Sequence, residues 1–143
     1  MIQPGEINVG IITAVEDGLL IPVLKRVDEL PLSEVVTESK GLVNRARTGR
    51  PKGTDLTGAT FCVSNVGAFP VESFTAVISP GNGGILAVGA IQDEAVVEAG
   101  EVLVRKVMRV TLSVDHRIID GVMGAEFLAE LKATLEDPAL LLA

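Results

Sequence analysis

The chain has 143 residues, 48% of them hydrophobic and 22% charged, which suits one packed domain and excludes a disordered tail. With 12 basic and 19 acidic residues the net charge is −7, and Trp and Tyr are absent, so neither a phosphate-binding surface nor a base-stacking platform for nucleic acid is expected. No apolar run reaches the ~18–20 residues of a membrane span, and Met1-Ile2-Gln3-Pro4-Gly5-Glu6 lacks the basic and apolar regions of a signal peptide; a cytoplasmic location is expected.

One cysteine, Cys62, excludes a disulfide framework and a multi-cysteine zinc site, and no metal is expected. The mean hydropathy of +0.45 is high for a chain with 3% aromatic residues. A domain of this size buries only about two-thirds of its unfolded surface. Apolar surface reserved for other chains is therefore the favoured explanation.

Ile7 to Val15 is a β-rich apolar run, Glu16-Asp17-Gly18 a turn, and Leu19 to Leu24 a second run, so the pair reads as a hairpin. Pro22 in the second run points to an edge or a bulge. From Leu32 to Arg47 the period becomes helical, with Leu32, Val35, Val36, Leu42, Val43 and Ala46 on one stripe. Pro31 suits the first turn, Arg45 and Arg47 the last, and Gly49 closes the helix. Arg50 to Thr57 is a polar loop. Ala59 to Asn65 reads as a strand with Phe61, Val63 and Asn65 on one face and Cys62 and Ser64 on the other.

Gly67 to Gly84 is long and irregular, with Pro70 and Pro80; a loop of this length is usually functional or engaged by a partner. Gly84 to Ile91 reads as a strand. Ala95 to Val97 and Val102 to Val114 form a hairpin about the Ala99-Gly100-Glu101 turn, with Val102, Val104, Met108, Val110, Leu112 and Val114 on one face. A last helix runs from about Gly121 to Leu135, capped by Asp120, with Phe127, Leu128, Leu131 and Leu135 as its stripe and Pro138 beyond its end. The order β-β-α-β-β-β-β-α gives an α+β fold with a mixed or antiparallel sheet.

The lone histidine, His116, follows a strand and precedes a helix, where sites are commonly built. It has no second His or Cys nearby to make a metal site, so it is either a general base or a solvent-exposed loop residue. Ser64 lacks a Gly-x-Ser-x-Gly elbow. Cys62 reads as a small buried hydrophobe. Gly81-Asn82-Gly83-Gly84 leads into a strand, not a helix, and fits neither a P-loop nor a dinucleotide fingerprint.

The exact residues carry more. Asp115-His116-Arg117-Ile118-Ile119-Asp120-Gly121, with Leu135-Glu136-Asp137-Pro138 after the helix, resembles the signature that ends the acyltransferase (E2) domain of 2-oxoacid dehydrogenase complexes. Thr60-Phe61-Cys62-Val63-Ser64-Asn65-Val66-Gly67 with Glu72-Ser73-Phe74-Thr75-Ala76 resembles a second motif of that family. Gly10-Ile11 with Gly18-Leu19-Leu20-Ile21-Pro22-Val23 resembles a third, and Ile85-Leu86-Ala87-Val88-Gly89-Ala90-Ile91 a fourth. A lone His-x-x-x-Asp-Gly is weak; four motifs in the family's order and spacing are specific.

The resemblance implies a chloramphenicol-acetyltransferase-like fold with helices on one side of a mixed or antiparallel sheet, assembled as a homotrimer with the site at the subunit seam. It implies transfer of an acyl group between dihydrolipoamide and coenzyme A. His116 would be the general base, Ser64 the donor to the oxyanion, and Asp120 a residue that orients the site. Coenzyme A would meet Ser64, Asn65, Gly89 and Ile91, and Arg117 would be structural. The lipoyl group would come from another domain or chain. Implied partners are a lipoyl domain and the decarboxylase and dihydrolipoyl dehydrogenase components. The apolar tail 139–143 would join trimers into a cubic or icosahedral core. Residues 1–143 match only the later three-fifths or so of that catalytic domain, so a single partial domain is expected, without lipoyl or peripheral-subunit-binding domains. Pro70, Pro80-Gly81-Asn82 and Ala14-Val15 depart from the family's usual residues. The alternatives are an inactive assembly module and a coenzyme A-dependent acyltransferase of small molecules.

Overall fold

The computed structural model describes residues 5–141. Its main elements are β1 (Val9–Ile11), β2 (Thr13–Val15), β3 (Gly18–Leu20), β4 (Val23–Leu24), α1 (Leu32–Arg47), β5 (Phe61–Asn65), β6 (Gly84–Glu98), β7 (Glu101–Val114) and α2 (Gly121–Glu136). Met1 to Pro4, which fall in the opening segment, and Leu142 and Ala143 of the apolar tail lie outside the described residues.

The expected first hairpin is split in two. β1 pairs antiparallel with β4 at the edge of a five-stranded sheet ordered β4-β1-β5-β6-β7, whereas β2 and β3 form a separate ribbon. The split follows from where the backbone donors go. The Ile12 N–H donates to the Val63 carbonyl on β5 at 2.9 Å, leaving the hairpin ladder. Opposite it, Pro22 has no N–H to give, and its carbonyl accepts from the Ile11 N–H at 2.8 Å. Gly10 permits the close approach of these strands: a Cβ there would lie 2.8 Å from Ile21 Cγ2 and 2.9 Å from Cys62 Sγ.

The inner strands β1, β5 and β6 are parallel, and β7 returns antiparallel to β6. The sheet is therefore mixed. Strand β6 runs unbroken through Gln92-Asp93-Glu94, where the sequence suggests a gap. Its polar residues are held across the ribbon: Asp93 pairs with Lys106 at 2.9 Å, Glu98 with Arg105 at 2.7 Å, and Glu94 with Arg109. Ala99 and Gly100 both have positive φ, 51° and 86°, the backbone of a two-residue hairpin turn.

Register places Ile11, Val63, Leu86 and Leu112 on one face of the sheet. Ile11 lines a groove with Val43 of α1, and a Cβ on Gly124 of α2 would lie 3.8 Å from Leu112 Cδ2. Both helices thus stand on this face. Phe127 of α2 meets Phe61 with ring centroids 5.7 Å apart. The opposite face carries Cys62, Ile85 and Ala87, all buried. Burial pushes the Cys62 thiol above its usual value, against a smaller opposing effect of Ser79 on the long loop.

Helix α1 has the predicted bounds, but its stripe is only partly covered: Leu42 and Ala46 are buried, while Leu32 and Val36 are exposed. Pro31 occupies the N-cap position, one residue before the first turn, and Gly49 (φ 67°) follows the C-terminus. In the next loop a short 3-10 turn, Gly53–Leu56, buries Asp55. Its carboxylate accepts from Arg45 Nε at 2.8 Å and from the Lys52 N–H at 3.1 Å, which holds it below the usual carboxylate range. Asp55→Asn should weaken this anchor between loop and helix, lowering unfolding stability by about 1–3 kcal/mol in urea titration. An unchanged midpoint would show the anchor to be idle.

Candidate active site

The ladder of β7 ends where the Asp115 N–H donates to the Gly83 carbonyl at 2.9 Å. The chain then turns tightly, with the N–H groups of Ile118 and Ile119 both donating to the Asp115 carbonyl at 3.0 Å. The Asp115 carboxylate accepts from the Arg117 N–H at 3.1 Å and from Arg117 Nε at 2.9 Å. This guanidinium holds Asp115 down from an ordinary 3.8 to about 2. Asp120 Oδ1 then accepts from the Met123 N–H at 2.9 Å and caps α2. Asp115, Arg117 and Asp120 all hold the turn. His116, between them, is exposed, and its ring has no hydrogen-bond partner among the described residues.

His116 lines a cavity of about 400 Å³ closed on the other side by the loop from Ile78 to Asn82. Asn82 Oδ1 in that wall is buried and without a hydrogen-bond partner among the described residues. Asn82 belongs to the Gly81-Asn82-Gly83-Gly84 stretch, where nothing local in the sequence signals its burial.

Ser64 is half-buried on β5 and lines neither the cavity at His116 nor the groove at Asn65 and Gly89. It is level with Ala87 on β6 and Thr111 on β7. His116 lies five residues beyond Thr111 and two strands across. At ~3.4 Å per residue and ~4.8 Å between strands the two are about 15–20 Å apart within one chain.

Of the four residues that the resemblance assigns to coenzyme A, the structure brings three together. Asn65, Gly89 and Ile91 line a groove of about 510 Å³ with Ile11, Val88 and Met108 as apolar walls. Ser64 points to the other face of its strand. The groove is shaped by an irregularity in β6 between Val88 and Ile91. There the Val71 carbonyl takes the Ala90 N–H at 2.8 Å, and a Cβ on Gly89 would collide with the Glu72 carbonyl. Asn65 Oδ1 accepts from the Gly67 N–H at 2.7 Å, a side-chain turn that starts the loop. The groove also takes in Arg47, which the sequence offers only as a helix-terminal charge. Among the described residues no cluster of His, Cys, Asp or Glu could hold a metal ion, and no helix is long and apolar enough to cross a membrane.

The fold is that of dihydrolipoamide acetyltransferase catalytic cores. The Azotobacter vinelandii enzyme superposes with a TM-score of 0.93 at 29% identity, covering 99% of this chain and 58% of that one. The cubic core of a pyruvate dehydrogenase multienzyme complex superposes with a TM-score of 0.94 at 28% identity, covering 99% and 58%. The family of 2-oxoacid dehydrogenases acyltransferase (catalytic domain) matches residues 1–143, and the chain belongs to it. The dihydrolipoyllysine-residue acetyltransferase component of the pyruvate dehydrogenase complex from Rickettsia bellii is 35% identical over 136 residues, 95% of this chain and 32% of the relative. The chain thus spans about a third of the length of such relatives. In the Azotobacter enzyme a catalytic mechanism was studied at a serine, a histidine 52 positions later and an asparagine four beyond. Ser64, His116 and Asp120 stand at the same intervals, with aspartate in the third place.

The Asp115–Arg117 pair makes stability depend on pH. A folded-state value below the unfolded one adds stability that is complete above the unfolded value and is lost as pH falls through about 2. Asp115→Asn should therefore melt below the parent at pH 7. The gap should close as both are titrated from pH 4 toward pH 2. A gap that persists at pH 2 would assign the effect to something other than this carboxylate.

Proposed function

We propose that this chain is a partial catalytic domain, residues 1–143, of an E2-type acyltransferase. It passes an acyl group between dihydrolipoamide and coenzyme A, with His116 of one copy working against Ser64 of another. The interval match with the serine and histidine of the Azotobacter enzyme carries this reading. The sheet register supports the second copy, because one chain holds the two residues too far apart to share a substrate. The fit to the acyl carrier rests on the groove at Asn65, Gly89 and Ile91, whose apolar walls and polar ends suit a narrow amide-bearing arm.

His116 Nε2 removes the proton of the attacking thiol, which as thiolate adds to the thioester carbonyl. The Ser64 hydroxyl donates a hydrogen bond to the oxyanion that forms. Collapse breaks the original carbon–sulfur bond, and the imidazolium returns its proton to the departing sulfur. Protons and electron pairs balance without an outside acid, oxidant or metal. Asp120 fixes the turn through its cap. The aspartate keeps this capping role as well as an asparagine would.

The same reading covers the partners. The described structure leaves Val97, Val102 and Val104 on the ribbon and Val122 and Phe127 on α2 exposed, apolar surface that a homotrimer would bury. The solved cubic core supports higher assembly; the apolar tail 139–143, which begins within the 3-10 turn Pro138–Leu141, would make the joining contact. The lipoyl group reaches the site from another domain or chain, alongside decarboxylase and dihydrolipoyl dehydrogenase components in a cytoplasmic complex.

Acetyl transfer from acetyl-CoA to dihydrolipoamide tests this. His116→Ala should lower kcat by about 10²–10⁴ and Ser64→Ala by about 10²–10³. Refolding the two inactive variants together should restore up to about a quarter of parental activity, because a site shared between copies recombines one intact serine with one intact histidine. No recovery would reject the shared site. An ordered oligomer of the parent without turnover would leave an assembly module, and turnover only with a small alcohol or amine would move the substrate.

A further inference from the structure

We propose that Asn82 is a self-modification site, at which the Gly83 amide nitrogen closes on the Asn82 side chain and water opens the ring to aspartate or isoaspartate. Its effect on catalysis rests on the acyltransferase reading above. The chain has four asparagines, and only Asn82 is followed by glycine. The others precede Val9, Arg45 and Val66, whose side chains crowd the attacking backbone nitrogen, whereas glycine leaves that approach open. Asn8 and Asn65 are also fixed by their carbonyl oxygens, which accept from the Arg26 N–H at 2.8 Å and the Gly67 N–H at 2.7 Å. Asn44 lies inside α1, where the next backbone nitrogen belongs to the helix ladder. Asn82 has neither restraint. Its Oδ1 is buried without a hydrogen-bond partner among the described residues. Its Nδ2 reaches the Ser79 carbonyl at 3.4 Å, beyond the usual ~2.9–3.0 Å. Turning this amide toward Gly83 forfeits little and frees a carbonyl that burial leaves unpaired. The Gly83 carbonyl accepts from the Asp115 N–H at 2.9 Å, while the Gly83 N–H makes no hydrogen bond among the described residues. Gly81, at φ 88°, gives the backbone before Asn82 further freedom.

The step balances with water as the sole co-reactant. The Gly83 nitrogen gives up its proton and bonds to Asn82 Cγ. The Cγ–Nδ2 bond breaks, and Nδ2 takes a proton and leaves as ammonia. Water then adds to one of the two carbonyls of the five-membered imide. Opening the bond from nitrogen to Cγ gives aspartate. Opening the bond from nitrogen to the main-chain carbonyl carbon gives isoaspartate, with the chain rerouted through Cβ and Cγ. Either product places a carboxylate in the wall of the cavity of about 400 Å³ that His116 lines. The charged groups already in that wall are Asp115 and Arg117, which are bound to each other. With Arg117 engaged, the new carboxylate acts on the imidazole. It favours the protonated ring, which cannot take a thiol proton. Isoaspartate also lengthens the backbone beside Gly83, whose carbonyl ends the β7 ladder at Asp115.

Ageing the full chain in warm, mildly alkaline buffer, followed by peptide mapping, tests this. The peptide spanning position 82 should gain one mass unit over days and resolve into aspartate and isoaspartate forms, faster as the pH rises. In Gly83→Ala the added Cβ would meet two side-chain ends, Ile118 Cδ1 at 3.1 Å and Ile119 Cδ1 at 3.7 Å. This variant should slow the gain about tenfold or more, because a side chain at 83 hinders the attack. Asn82→Gln, which can cyclise only through a less favourable six-membered ring, serves as the slow variant if Gly83→Ala does not fold. No gain at position 82 in the parent, or an equal gain in the slow variant, would overturn the proposal. Fresh Asn82→Asp should transfer acetyl groups about threefold or more slower than the parent at pH 7. The aged parent should lose transfer in step with its modified fraction, while the aged slow variant keeps its own starting rate. An aged parent that is modified yet retains full transfer keeps the site and rejects its effect on catalysis. A parent that is modified but transfers no acyl group, fresh or aged, keeps the site and rejects the acyltransferase reading.

Discussion

The register of three strands decides what this chain can do alone. Ser64, Ala87 and Thr111 lie level across β5, β6 and β7, and the β6–β7 ladder continues to Gly84 and Val114 before the chain leaves for His116. Sliding a strand by one residue would exchange its two faces and expose Ile85 or Cys62, both now buried. Slips by two would break the ladder ends. The sheet therefore keeps the hydroxyl in its middle and the imidazole beyond its end. A reaction that needs both must draw one from each of two molecules. The exposed valines of the ribbon and the partly covered α2 fit the same demand, because a shared site brings surface with it.

The groove beside β5 depends on backbone more than on side chains. The irregularity between Val88 and Ile91 turns the end of β6, and the loop from Val66 to Glu72 closes over it. Gly89 is required because the Glu72 carbonyl occupies the space of a side chain. Arg109 meets Glu72 at 3.0 Å and also Glu94, tying the loop to both strands of the ribbon. These ion pairs are exposed and weak individually. Their effect is to select one path for a segment that has no regular structure of its own.

Local signals were legible in the sequence, and nonlocal ones were not. The bounds of α1 follow from apolar period and terminal residues, the cap at Asp120 from residue type, and the Cys62/Ser64 face from simple alternation. The division of the first hairpin was hidden because it turns on the Ile12 amide bonding to Val63, some fifty residues away. Likewise β6 crosses Gln92-Asp93-Glu94 because Lys106, Arg105 and Arg109 stand opposite, a pairing no window of sequence contains. His116 was conspicuous as the single histidine. Ser64 and the groove residues were visible only through motif resemblance. Arg47 and Asn82 were invisible as site residues, since whether an arginine lines a groove or an amide is buried is settled by the tertiary fold.

The heptapeptide from Asp115 to Gly121 separates holding from reacting. Asp115 uses its N–H to end the ladder, its carbonyl to close the turn and its carboxylate to fix Arg117. Asp120 caps a helix. Each of these polar groups is occupied by the fold, so each can be removed only with structural cost. His116 is exposed, and its ring has no hydrogen-bond partner among the described residues. The same stretch that fixes its backbone from both sides leaves its ring free. A base must have its position determined by others while its own lone pair stays available, and this turn meets both conditions.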